Sequence, residues 1–353
     1  MEEKEYKLSL AVPGERLLEK MWDSLSINGI ATLLKPWSIS REGKAHAEVR
    51  RYEVLSLAQA KADAADIRAG KKRFDNDGKL VSLPRVECSS TISPPTHDRR
   101  LEPTLEIGNI MLAATTARAS DLIRSEVNIA ETVLLAEQIL AENPNPAPSE
   151  SIEDDWLAIW RDHVSKVSSE RLQYLWASAL AGEVAAPGSY SIRTLDFLRT
   201  LSKVEAEEIA EVAQYQLQGA IVKDVEPILS DDGLSFGDLL KMRELGILAG
   251  VGGTGLATKY SSVEDDRYIR VLRSHDKLLI VQRDEMVDLK LTVFKFTTLG
   301  QQIMELGNFK ANIKYLRNVG RRLVAQGYRV VMADLVSISP TEVEYKNEEE
   351  IFV

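Results

Sequence analysis

The spacing of apolar residues changes once along this chain, near residue 224, and that change limits the folds open to it. Before it, apolar residues recur at helical intervals. Leu172, Leu175, Trp176, Ala179 and Leu180 stand at i, i+3, i+4, i+7 and i+8, a stripe that faces a core. After it come Tyr268 to Leu272, Lys277 to Gln282 and Lys290 to Phe296, runs rich in β-branched and large apolar residues, with polar breaks between them. That is the signature of a hairpin or small meander. The expected fold class is mainly α: a helical N-terminal region plus a small α+β, winged-helix-like C-terminal region. The winged-helix expectation rests on the order helix, Leu245-Gly246-Ile247-Leu248, strand pair, and the Thr297-Thr298-Leu299-Gly300 helix. A chain of 353 residues supplies two or three domains of ordinary size, each with material for a core.

The pattern divides the chain further. Residues 1–75 read as an amphipathic helix over 14–34 and a long Ala-rich basic helix over 41–73. Residues 76–103 hold Asn76, Gly78, Pro84, Pro94, Pro95 and Pro103, an irregular loop with one short strand. Residues 104–220 form a helical core domain. Its first helix, about Thr104 to Glu142, is stopped by Asn143-Pro144-Asn145-Pro146-Ala147-Pro148, since proline lacks the donor and restricts its predecessor. Residues 224–340 form the α+β region, and 341–353 an acidic tail expected to be mobile. Ser202-Lys203-Val204-Glu205 is a capping box, and Ser235-Phe236-Gly237-Asp238 resembles another. Lys35 to Arg73 carries ten basic and five acidic residues, whereas Glu102 to Asp155 carries eleven acidic and two basic ones. Two such helices can pack antiparallel and neutralise each other in part.

Charge and cysteine content narrow the functions. The net charge of −10 disfavours a protein that simply coats nucleic acid. The one cysteine, Cys88, excludes an internal disulfide, so a reducing cytoplasm is expected. The start, Met1-Glu2-Glu3-Lys4-Glu5, lacks the basic and apolar regions of a signal peptide, and no uncharged apolar run is long enough to span a bilayer. Leu18, Trp22, Leu25, Leu33 and Trp37 nevertheless form an apolar face over residues 14–37 that suits either a core, a partner or the surface of the inner membrane.

Asp154-Asp155-Trp156 through Trp160, Leu172 to Ala177, Leu180-Ala181-Gly182-Glu183, Pro187 to Ser191 and Arg193-Thr194-Leu195 resemble a bacterial family known as domain of unknown function 2806, as does Arg124 to Ala136. The resemblance covers about residues 120–215. The order of these motifs is also distantly similar to abortive-infection alpha proteins, which implies a setting in bacterial defence against phage. The resemblance carries no catalytic residue. Trp156, Trp160 and Trp176 read as core anchors. Gly182 and Gly188 read as turn residues, and Gly182, Pro187 and Gly188 together end the helix before them. Glu183 and Arg193 read as a buried pair locking that turn, because buried charges are usually paired.

Motifs that suggest chemistry have plainer explanations. Gly250-Val251-Gly252-Gly253-Thr254-Gly255 lacks the strand before it and the helix after it that a dinucleotide loop needs. Asp288-Leu289-Lys290, with Asp276 upstream, has the spacing used by metal-dependent nucleases but suits a hairpin turn. Glu153-Asp154-Asp155, Asp231-Asp232 and Glu264-Asp265-Asp266 match no calcium-loop spacing, and the four histidines are far apart. No cofactor or metal is expected. The clearest functional surface is a helix over 309–326, where Lys310, Lys314, Arg317 and Arg321 share one face, Arg322 adds to it, and Phe309, Ile313, Leu316 and Leu323 face a core. Such a stripe suits nucleic-acid phosphates, anionic lipid, an acidic partner or the protein's own acidic segments. The expected function is that of a non-enzymatic bacterial accessory protein acting by binding or self-association, in phage defence. The alternatives are a membrane-acting effector through residues 14–37 and a DNA-binding regulator through the C-terminal region.

Overall fold

The computed structural model describes residues 14–30, 46–75, 79–83, 107–143, 146–230, 233–338 and 343–352. The chain divides into two compact units, Met1–Gly188 and Ser189–Val353. Ten helices are present among the described residues, and the extended sheets lie in the second unit, as the change of apolar spacing implies.

The first unit is built on α3 (Ile107–Ala141), against which α1 (Glu15–Ile27), α2 (His46–Arg68), α4 (Asp154–Val164) and α5 (Glu170–Ala185) all pack. Val127, Ala130, Val133 and Leu140 of α3 are buried, and alanine in that row lets neighbouring helices approach closely. The charge segregation is used as expected. Lys61 of α2 pairs with Glu131 of α3 at 2.6 Å, and Arg68 pairs with Asp121 at 2.6 Å, so the two helices run antiparallel. Ser120 Oγ donates to the Ala64 carbonyl at 2.9 Å and fixes the same register. A small hairpin, β1 (Lys72–Phe74) with β2 (Leu80–Ser82), follows α2.

Trp156, Trp160 and Trp176 are all buried. The Trp160 indole Nε1 donates to the Trp176 carbonyl at 3.0 Å, which satisfies the one polar group a buried indole brings. Asp154 and Asp155 sit in the first turn of α4, where the helix dipole favours negative charge. Helix α5 runs through Gly182 to Ala185 and stops just before Pro187 and Gly188. Gly188 takes the left-handed conformation, φ +85°, and donates its N–H to the Glu183 carboxylate at 2.6 Å. Helix α1 is shorter than its apolar pattern suggests, because Asn28 and Gly29 terminate it.

In the second unit, α6 (Ile192–Thr200) and α7 (Lys203–Ala213) precede two antiparallel sheets. One is centred on β8 (Leu289–Phe296), which pairs with β3 (Ala220–Val222) along one edge, and with β4 (Leu248–Ala249) and β5 (Leu256–Tyr260) along the other. Helix α8 (Phe236–Glu244) packs on β4, and α9 (Thr298–Leu306) packs on α6 and β8. Both capping boxes are formed, Ser202 with Glu205 and Ser235 with Asp238. The other sheet has the order β10 (Val343–Ile351), β9 (Arg329–Ile338), β7 (Lys277–Arg283), β6 (Tyr268–Ser274). Strands β6 and β7 form a hairpin whose two-residue turn, His275-Asp276, carries φ +47° at His275.

Helix α10 (Ile313–Ala325) covers β9, β10 and β7 with Tyr315, Leu316, Val319, Gly320 and Leu323. The Tyr315 hydroxyl accepts the Val222 N–H at 2.7 Å, joining this helix to the other sheet. The acidic end of the chain is therefore a paired strand and not a mobile tail. Its Ile351 is buried over Gly320, where a Cβ would collide with the Ile351 side chain.

Two stability outcomes follow from this packing. Trp160→Ala removes a fully buried ring and should cost about 3–5 kcal/mol in urea unfolding. Gly320→Leu should displace β10, seen as proteolysis or amide exchange confined to residues 343–351.

Candidate functional site

The surface most at odds with a folded interior is the start of α3. Helix α2 ends opposite Asp121, through the Arg68 pair, so α3 runs about four turns beyond it. Ile107 (70% exposed), Ile110 (50%), Met111 (63%) and Leu112 (57%) lie in those turns, and Leu122 (64%) lies just past their end. The segment from Ile107 to Ala117 has no charged residue. Its threonine hydroxyls bond the helix's own backbone: Thr115 and Thr116 donate to the Leu112 carbonyl at 2.9 and 2.8 Å. The helix thus satisfies itself and presents methyl groups outward. Ile107, Met111 and Leu122, separated by four and eleven residues, share one face. Sequence spacing missed this surface. A helix apolar on several sides reads as buried unless one knows where its neighbours stop.

The basic stripe is partly consumed within the second unit. Arg317 holds Glu349 of β10 through two hydrogen bonds, 3.1 Å from Nε and 3.0 Å from Nη2. Arg322 donates to the Lys223 and Asp224 carbonyls, and Arg329 pairs with Glu350 at 2.8 Å. Among the described residues Arg321 reaches only Asn318, at 3.4 Å. Lys310 and Lys314 make no hydrogen bond or ion pair among the described residues and are exposed. Lys310 is not on the helix, which begins after its Asn312 cap. Ile313 is exposed, so it does not face the core as its spacing suggests.

The other expected sites fare differently. On α1, Leu25 is buried with Leu17 and Met21, so it is not part of a free apolar face; Leu18 and Trp22 are half-buried. Burial of three such side chains contributes about 1.5–3 kcal/mol each, which ties α1 to its own unit. Leu33 and Trp37 lie outside the described residues, as do Cys88 and the Asp231-Asp232 pair. Glu183 is buried, but Arg193 is exposed, so the expected burial of both charges does not hold. Asp288 pairs with Lys259 at 2.6 Å at the start of β8, not in a hairpin turn. Among the described residues no group of His, Cys, Asp and Glu could hold a metal ion, and no helix is long and apolar enough to cross a membrane.

A helical unit with an uncovered apolar helix end, followed by an α+β unit whose basic stripe is tied to its own last strand, defines a two-unit protein whose most available chemistry is apolar contact. The chain belongs to the family described as Protein of unknown function (DUF2806), whose model matches residues 117–320, from within α3 into α10. No curated protein and no solved structure matches it.

The Arg317–Glu349 pair gives a pH dependence with a definite sign. The guanidinium holds the Glu349 carboxyl below its ordinary range, and Lys277 with Asn347 does the same for Asp334 on β9. A carboxyl with a lowered folded pKa contributes stability above its unfolded pKa, and that contribution is lost as pH falls through the folded value. Protection factors of β10 amides should therefore drop below about pH 4. Glu349→Gln should show weaker protection at neutral pH and less change on acidification.

Proposed function

We propose that this is a non-enzymatic bacterial protein that acts by self-association, and that the uncovered turns of α3 are the contact between copies. The observation that carries this reading is the cluster Ile107, Ile110, Met111 and Leu112, exposed on successive positions of one helix. An exposed apolar cluster of this kind marks an interaction site. The absence of charge from Ile107 to Ala117 favours a second copy over a charged partner. In a two-fold contact the same patch is used on both copies, so an uncharged stripe opposes another uncharged stripe. Leu122 extends the stripe beyond a single turn.

A setting in defence against phage rests on the distant resemblance to abortive-infection alpha proteins. The winged-helix-like reading of the second unit is supported by its strand order, in which β8 lies between β3 and β4, with α8 between those outer strands in sequence. A regulator that grips DNA through the basic stripe is less favoured, because Arg317 and Arg322 already have partners in their own unit. A membrane role through α1 is less favoured because Leu17, Met21 and Leu25 face inward.

Light scattering on the full chain should give a mass of at least twice 39.3 kDa at micromolar concentration, unchanged by salt. Met111→Glu should reduce it to the monomer mass with an unaltered circular dichroism spectrum, since the side chain is exposed. A wild-type monomer at tens of micromolar would overturn the proposal. In cells expressing the protein, the same substitution should abolish any reduction in phage plating efficiency.

A further inference from the structure

Helix α10 and strand β10 carry opposite charge, and each satisfies only part of the other. Lys314, Arg317 and Arg321 stand at i, i+3 and i+7 on one side of the helix, away from the buried Tyr315, Leu316, Val319 and Leu323. All three are exposed, and no acidic residue lies between Lys310 and Ala333. Of the three, Arg317 alone has an anionic partner among the described residues. Its Nε and Nη2 donate to the two carboxylate oxygens of Glu349, at 3.1 and 3.0 Å. That two-pronged grip is the one an arginine offers to a phosphate as readily as to a carboxylate. Glu349 therefore sits where a phosphate would.

The strand that supplies Glu349 is lightly held. Among the described residues β10 is the outermost strand of its sheet, and its pairing with β9 is interrupted between Glu344 and Tyr345 and again between Lys346 and Glu349. Ile351 is its one buried side chain, and Glu344 to Glu350 are all exposed. Glu344, Glu348, Glu349 and Glu350 against the single Lys346 make it self-repelling and a poor strand former. Its two ion pairs, Arg317–Glu349 and Arg329–Glu350, are exposed and add little energy. An element with so few buried contacts opens before the rest of its unit. Opening takes four glutamates away from α10 and frees Arg317 between Lys314 and Arg321. An acidic peptide would only exchange one set of carboxylates for another. A phosphate backbone offers a continuous row of oxygens to three cations on one face, and binding it releases counterions.

We propose that the face formed by Lys314, Arg317 and Arg321 binds the phosphate backbone of double-stranded DNA, and that β10 is the strap that closes it. With the strap in place Arg317 is committed, and the resting protein binds DNA weakly. This goes beyond self-association and does not rest on it. Fluorescence anisotropy of a short labelled duplex with the full chain, over a series of salt concentrations, tests it. Glu349→Gln frees Arg317 and should bind about fivefold more tightly than wild type at low salt, with a log–log salt slope steeper by about one. Glu348→Gln removes the same charge from the same strand and should stay within about twofold of wild type. Gly320→Leu changes no charge, pushes Ile351 out of its place, and should also tighten binding. Adding Arg317→Gln to either tighter variant should cancel its gain. Circular dichroism reports whether each variant is folded, and Glu349→Gln, at an exposed position, carries the test if Gly320→Leu does not fold. The proposal is overturned if Glu349→Gln binds no better than Glu348→Gln, or if the gain survives Arg317→Gln. It is equally overturned if a folded Gly320→Leu protein with freely exchanging β10 amides gains nothing. Competition by polyglutamate as strong as that of unlabelled duplex would also overturn it, and would assign the face to an acidic protein.

Discussion

The first unit depends on a single helix. Helices α1, α2, α4 and α5 bury their apolar faces on α3, and the ion pairs Lys61–Glu131 and Arg68–Asp121 set the register of α2 against it. Exposed ion pairs contribute little energy, so burial along α3 holds the unit together while the charges choose the alignment. That choice has a consequence. Aligning Arg68 with Asp121 leaves the start of α3 beyond the end of α2, with its isoleucine, methionine and leucine side chains facing solvent. The helix satisfies its own threonine hydroxyls and exposes large apolar side chains, the kind of surface that marks an interaction site.

The second unit resolves its own charges differently. Its basic helix α10 buries Tyr315, Leu316, Val319 and Leu323 under one face and turns Lys314, Arg317 and Arg321 outward. The acidic end of the chain then returns as β10, and Glu349 and Glu350 meet Arg317 and Arg329. Glycine at 320 makes this return possible, because Ile351 occupies the space a side chain would need. The last strand is therefore held by backbone pairing with β9, by one buried isoleucine and by two arginine–glutamate contacts. Much of the charge that looks available for a phosphate backbone is committed locally.

Much of this fold is legible in the sequence. Period-3.6 stripes locate the helices, the proline run Pro144 to Pro148 marks the end of α3, and β-branched runs locate β6, β7 and β8. Both capping boxes form where Ser202 and Ser235 stand three residues before an acid. What was not legible depends on contacts distant in sequence. Strand β10 is a run of glutamates that no propensity favours; it is ordered by pairing with β9, by Arg317 of α10 and by Arg329 of β9. Strand β8 belongs to a different sheet from the β6–β7 hairpin that precedes it, because β3, far upstream, pairs with it. The uncovered turns of α3 are invisible without knowing where α2 stops.

The central claim is that the start of α3 is covered by a second copy of the chain. Amide hydrogen exchange across residues 107–118, measured on the unmodified protein at nanomolar and at tens of micromolar concentration, tests it most directly. The account predicts fast exchange in the dilute sample and marked protection in the concentrated one, confined to these turns and their immediate neighbours. Exchange that is equally fast at both concentrations would contradict it.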